Sequence, residues 1–208
     1  MMNSSWPPVL MIVSAPSGAG KTTLCDRLGA EFPSIAYSVS CTTRPPREGE
    51  VDGRSYHFLT EEAFAERREA GDLLEYANVH GHWYGTPRDA VMQALESGRD
   101  VVMDIDVQGA ADVRASVQNL PDNHPLARAY ADVFIAPPSI QDLQLRLFHR
   151  GKDDPDVIAR RMQEAEAQLA RAHEYDYVIV NDKLDESYDA LRAVFLAEHH
   201  RVLRRELG

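Results

Sequence analysis

The sequence predicts an α/β fold of three layers, with helices on both faces of a mostly parallel sheet. Two observations predict it. Apolar runs of strand length (Val9–Val13, Val101–Ile105, Val133–Ala136 and Val178–Val180) alternate with segments of helical period along the 208 residues. The first run leads straight into Ser14-Ala15-Pro16-Ser17-Gly18-Ala19-Gly20-Lys21-Thr22-Thr23, a loop of small residues that opens a helix. Small residues let backbone N–H groups turn inward around a phosphate, and the helix points its positive end at the same place. Lys21 is then expected at the β/γ-phosphates and the Thr22 hydroxyl on Mg²⁺. Ala15 stands where the usual motif begins with glycine. The segment reads as a nucleoside-triphosphate site.

Composition agrees with one substantial core, 44% of the residues being hydrophobic. A net charge of −11 argues against non-specific binding to nucleic acid or to an anionic membrane. An acidic protein that handles phosphate has to gather its cations locally, and the arginines are indeed clustered. Cys25 and Cys41 form no metal-like spacing, which predicts a reduced, cytoplasmic protein with Cys25 as a buried structural thiol. The segment before Val13 lacks Lys and Arg and is broken by Pro7-Pro8, unlike a secretory leader.

Helix starts follow from capping patterns. Thr86-Pro87-Arg88-Asp89 reads as a capping box with Gly98 as the stop; Ser139-Ile140-Gln141-Asp142 repeats the device, ending at Gly151. Asp154-Pro155 opens the next helix, and a helical pattern runs over residues 185–206. Two stretches break the alternation. Residues 40–85 read as short strands, Ser55–Leu59 and Leu73–Val79, around one helix, Glu61–Ala70: a small inserted subdomain. Gln118–Tyr130 has no period and reads as a surface loop.

Within the insertion, Arg44 and Arg47 stand three apart on a segment stiffened by Pro45-Pro46, with Tyr56 and Tyr84 further along the same insertion. Two guanidinium forks so held suit a phosphate dianion. Val101–Asp106 is an apolar strand ending in Asp104 and Asp106, and carboxyl ends of parallel strands face the ligand crevice. Alternate residues share a face, so both carboxylates are expected to point the same way. That spacing does not by itself divide their roles; as in other phosphate-loop enzymes, Asp104 is assigned to the water shell of Mg²⁺, and Asp106 to the side of the Arg44–Arg47 site. His80 and His82 lack a third ligand and read as ordinary strand residues.

The segments SAPSGAGKTTL, SVSCTTRPPREGEVDGRSYHF, LLEYANVHGHWYGTP, VVMDIDVQGA, FIAPPS and YVIVND, in this order, resemble guanylate kinase of the bacterial form from about Val9 to about Glu198. The resemblance implies a phosphate-loop NTPase fold in a single domain, with a core of about residues 1–39 and 86–208. It also implies a nucleoside-monophosphate-binding subdomain of about 40–85 and a helical lid of about 146–165. It further implies ATP and Mg²⁺, transfer of the γ-phosphoryl group to GMP or dGMP, and GMP held by Ser40, Arg44, Arg47, Tyr56, Glu75, Tyr84, Thr86 and Asp106. Glu75 would read guanine, whose N1–H and N2 amino group offer two adjacent donors to a carboxylate; adenine sets a lone pair there instead. Arg146, Arg150 and Arg161 match the lid arginines that steady charge on the transferring group. Related domains in scaffolding proteins bind phosphopeptides and have degraded phosphate loops, whereas Gly20, Lys21 and Thr22 are intact here. A related kinase with another phosphorylated acceptor is disfavoured by Glu75 with Ser40 and Thr86. No motif marks an oligomer interface.

Overall fold

A computed structural model describes residues 7–79, 81–149 and 155–202. Its main sheet has five strands, all parallel, in the order β2-β7-β1-β8-β9. These are β1 (Leu10–Ser14), β2 (Ala36–Tyr37), β7 (Val101–Asp104), β8 (Tyr130–Ala136) and β9 (Tyr177–Val180). Central β1 is buried along its whole length, so it carries apolar residues on both faces, as a parallel strand covered by helices must. One face is covered by α1 (Lys21–Glu31) and α8 (Leu184–Glu198), whose Leu24, Leu28, Leu191 and Phe195 pack on Val13, Val133 and Ile179. The other carries α3 (Arg88–Glu96), α4 (Val107–Gln118) and α5 (Pro125–Ala129), which bury Val91, Val113 and Leu126 against Ile12, Met103 and Phe134. Burying each large aliphatic side chain contributes about 1.5–3 kcal/mol, which makes this two-sided core the main source of stability.

A second sheet of four strands runs β4-β3-β6-β5. It comprises β3 (Cys41–Thr42), β4 (His57–Phe58), β5 (Leu73–Val79) and β6 (His82–Pro87), with α2 (Glu61–Ala70) set against it through Phe64. Thr60 starts α2 by accepting the Ala63 N–H, and Gly71, at φ 75°, ends it in the left-handed region that disfavours other residues. The last helical pair is α6 (Ile140–His149) and α7 (Pro155–Leu169), held together by Leu143, Leu147 and Ala165.

Several elements differ from the sequence expectation. The proposed Thr86 cap is absent: β6 continues to Pro87, and the Thr86 hydroxyl is turned to Glu75, eleven residues back in the chain. Ser139 does cap α6, accepting the Asp142 N–H at 3.0 Å; the helix's expected stop at Gly151 and the Asp154 opening of α7 lie outside the described residues. The strand ending in two aspartates stops at Asp104, and Asp106 is instead the N-cap of α4, accepting the Gly109 N–H at 2.7 Å. The two carboxylates therefore do not share a strand face. Residues 118–130 are not a surface loop throughout: they contain α5, started by the His124 ring accepting the Leu126 N–H and by Pro125 at the first helical position, with Leu126 and Ala129 in the core. The Ser55–Leu59 strand shrinks to His57–Phe58, and α8 ends at Glu198.

Candidate active site

The site lies at the carboxyl ends of the parallel strands. The loop after β1 turns at Gly18 (φ 92°) and Gly20 (φ 95°) into α1. Both glycines are favoured by the left-handed backbone conformation, and close side chains add to it. A Cβ on Gly20 would stand 2.3 Å from the Asn181 side-chain nitrogen, and one on Gly18 would stand 3.0 Å from Leu147 of α6. A pocket of about 310 Å³ opens here, lined by Ala15, Pro16, Ser17, Gly18, Gly20, Lys21, Thr22 and Thr23, with Asp106 and Gln168. Ala19 is fully buried behind the loop. Lys21 forms an ion pair with Asp104 and donates to the Ile105 carbonyl at 2.6 Å, while the Thr22 hydroxyl donates to the other Asp104 oxygen at 3.1 Å. A carboxylate and a hydroxyl so placed at a phosphate-sized loop are the hard oxygen donors that Mg²⁺ takes.

Several side chains brace this loop in roles the sequence did not assign to them. Asn181, just after β9, donates to the Ala19 carbonyl at 2.7 Å, and its own carbonyl accepts Arg146 Nη2 at 2.8 Å. Ser14 Oγ lies 3.1 and 3.2 Å from the carbonyl oxygens of Ile105 and Asp106, tying β1 to the segment that follows β7. Gln168 enters the pocket from α7, two turns beyond the half-buried Arg161. Arg150 lies outside the described residues, as does His80. Cys25, beneath the loop, is buried, and burial pushes its thiol up to about 12, which leaves it inert.

On the second sheet, Glu75 is 7% exposed. It accepts the Thr86 hydroxyl at 2.6 Å, and its other oxygen stands over Gly109 at the start of α4. A Cβ on Gly109 would be 2.8 Å from that oxygen and 3.2 Å from Asp106 Oδ1, so a residue without a side chain lets α4 approach both carboxylates. Burial, above all, pushes the Glu75 carboxyl up to about 7, against the pull of the Thr86 hydroxyl and with help from the Asp106 and Asp112 charges. On the segment that follows β3, Arg44 is 8% exposed, its Nε facing Tyr84 Oη at 3.2 Å and its guanidinium 5.4 Å from the centre of the Tyr56 ring. The two tyrosine rings meet edge to face at 5.8 Å. Arg47 is exposed and Ser40 half-buried, its carbonyl accepting the His57 N–H. Glu50, not singled out in the sequence, grips Arg44 through both carboxylate oxygens at 2.8 and 2.9 Å.

Residues 8–198 match the family model described as guanylate kinase. The chain belongs to the guanylate kinase family. It is 51% identical over 190 residues to the guanylate kinase of Nitratidesulfovibrio vulgaris, covering 91% of this chain and 87% of that one. It is 46% identical to the guanylate kinase of Alkalilimnicola ehrlichii, covering 96% and 94%. Among solved structures, the guanylate kinase from Anaplasma phagocytophilum superposes with a TM-score of 0.71 at 28% identity, over 96% of this chain and 90% of that one. Family membership and the loop geometry agree on a phosphate-loop NTPase fold. No helix among the described residues is long and apolar enough to cross a membrane.

Proposed function

We infer that this chain is an ATP:GMP phosphotransferase, carrying the γ-phosphoryl group of ATP to GMP and giving ADP and GDP reversibly. The observation that carries the reading is Glu75: a buried carboxylate with one oxygen on the Thr86 hydroxyl and the other over Gly109, whose helix starts at Asp106 of the phosphate-loop pocket. A carboxylate in that position pairs with guanine's two adjacent donors, Thr86, Ser40 and Asp106 completing the base contacts. Arg44, Arg47, Tyr56 and Tyr84 hold the acceptor phosphate, for dGMP as for GMP. Residues 15–22 cradle the ATP phosphates. An acceptor-phosphate oxygen attacks the γ-phosphorus as the bond to the β-phosphate oxygen breaks, and no protein base is needed because the attacking oxygen is already anionic. The protein's work is positioning and charge neutralisation. Lys21 exchanges its Asp104 partner for the ATP phosphates, and Arg146, Arg150 and Arg161 steady the charge on the transferring group. Mg²⁺ would be held by Thr22 and, through water, by Asp104, and would supply countercharge to the ATP phosphates.

In this reading residues 40–85 form the nucleoside-monophosphate-binding subdomain and 146–165 the lid, on a core of 1–39 and 86–208. A reducing, cytoplasmic location is supported by Cys25 and Cys41, both buried and neither joined in a disulfide. The net charge of −11 supports small nucleotides rather than nucleic acid as partners. Lys21→Ala separates the two subsites: kcat should fall by about 10²–10³-fold, with GMP affinity by calorimetry unchanged. Loss of GMP binding in that variant would refute the division.

A further inference from the structure

The Arg44 side chain is already engaged in the free protein. Its Nε–H faces Tyr84 Oη at 3.2 Å, Nη1 donates to the Pro45 carbonyl at 2.8 Å and to Glu50 Oε2 at 2.9 Å, and Nη2 donates to Glu50 Oε1 at 2.8 Å. Two parallel N–H···O bonds from one guanidinium to one carboxylate are the arrangement a phosphate would also use. Glu50 Oε2 accepts the backbone N–H of Arg47 at 2.7 Å as well, so the acid closes the 44–50 loop on itself. The Arg44 fork and the Arg47 N–H hold the Glu50 carboxyl down at about 2, and it stays charged at any working pH. The Arg47 guanidinium, by contrast, makes no hydrogen bond or ion pair with any described residue, and Tyr56 Oη is likewise free of one.

We propose that Glu50 is a competing anion built into the acceptor-phosphate site: it fills the Arg44 fork in the free chain and leaves that fork when a phosphate dianion takes it bidentately. The proposal rests on the reading of Arg44 and Arg47 as ligands of the GMP phosphate. The physical ground is that a carboxylate and a phosphate bound to one guanidinium repel each other across a few ångströms in a site where Arg44 is almost wholly buried. The Arg47 guanidinium and the Tyr56 hydroxyl, which no described residue engages in a hydrogen bond or ion pair, make the first contact, and the dianion then displaces Glu50 from Arg44. Because Glu50 also ties down the Arg47 N–H, its departure opens the loop. Phosphate arrival and loop rearrangement thereby become one event, and a nucleoside without a phosphate leaves the arginine covered. Glu50 thus acts as a specificity-determining residue, weighting the site toward an acceptor with enough charge to displace it.

A contrasting role, in which Glu50 stays on Arg44 and props it in place, makes the opposite prediction. Glu50→Gln keeps the shape and an acceptor for the Arg47 N–H while removing the charge. Titrated calorimetrically with GMP and with guanosine in the absence of ATP, this variant should bind GMP at least about fivefold more tightly than the native chain, with guanosine affinity unchanged. Glu50→Asp, which keeps the charge, should bind GMP no more tightly than the native chain. Weakened or unaltered GMP binding in Glu50→Gln, or equal tightening in Glu50→Asp, would overturn the proposal. Arg44→Ala separates it from the underlying site assignment: if that variant binds GMP as well as the native chain, the phosphate site itself is misplaced, whatever Glu50 does.

Discussion

At the scale of single residues, Glu75 has the most consequential environment. Its carboxyl sits at about 7 in the folded chain against an ordinary value of 4.5, chiefly because burial penalises its charge. The folded state therefore binds the proton more tightly than the unfolded state between those two values, and stability falls as pH rises through that window. The loss attributable to Glu75 is of the order of 3 kcal/mol, complete above the folded value. With Glu75 reading guanine as proposed, the base presents donors, so the ionised form is the binding form, and affinity moves the other way. Below pH 7 the Kd for guanosine, chosen because it has no phosphate to titrate, should climb about tenfold per pH unit. Glu75→Gln should bind guanosine more weakly and lose this pH dependence. Calorimetric titrations across that range check it, and a flat native profile would show that Glu75 is ionised throughout.

At the scale of elements, the strands and helices are anchored by polar pairs as well as by apolar faces. Asp132 of β8 is 1% exposed, yet Arg114 of α4 donates to one of its oxygens at 2.6 and 2.8 Å and the Asp176 N–H to the other at 2.7 Å. This cluster ties α4 to the start of β9. Arg114→Ala leaves the buried carboxylate short of its cation and should cost about 3–5 kcal/mol in urea denaturation, with the active site untouched. A cost under about 1 kcal/mol would mean that the Tyr130 hydroxyl, which also donates to Asp132 at 2.5 Å, and the Asp176 amide suffice.

What was legible at this scale follows from range. The phosphate loop, α2 and the four long core strands announce themselves through contiguous residues. Strands β2 and β3 are two residues each, too short to show any period, and α5 hides behind a His124 cap and only five helical residues. Thr86 misled because a local cap was open to it, yet the fold gave its hydroxyl to Glu75; Asp106 misled the other way, since the strand pattern claimed a residue that became a local cap. Asn181 and Gln168 were unreadable because they meet the loop only after the chain has folded back from the far end. Glu50 lies only six residues from Arg44, but nothing in a charged, proline-stiffened loop says which acid its arginine will take.

At the scale of the whole molecule, the two sheets divide the labour. The parallel sheet presents the phosphate loop with Lys21 and Thr22, and the smaller sheet presents Glu75, Arg44 and Tyr84. The start of α4 belongs to both, since Asp106 lines the phosphate pocket and Gly109 touches Glu75. On the proposed assignment the molecule chooses its acceptor through the small sheet and its donor through the large one, so acceptor selectivity tests that assignment most directly. ADP release from ATP and Mg²⁺ should be followed with GMP, dGMP, AMP, CMP and UMP as acceptors. GMP, and to a lesser degree dGMP, should be the only good acceptors, with AMP disfavoured by up to about 10⁴ in kcat/KM because adenine leaves Glu75 facing a lone pair. Comparable turnover with AMP would contradict the assignment of Glu75 to guanine and the account built on it.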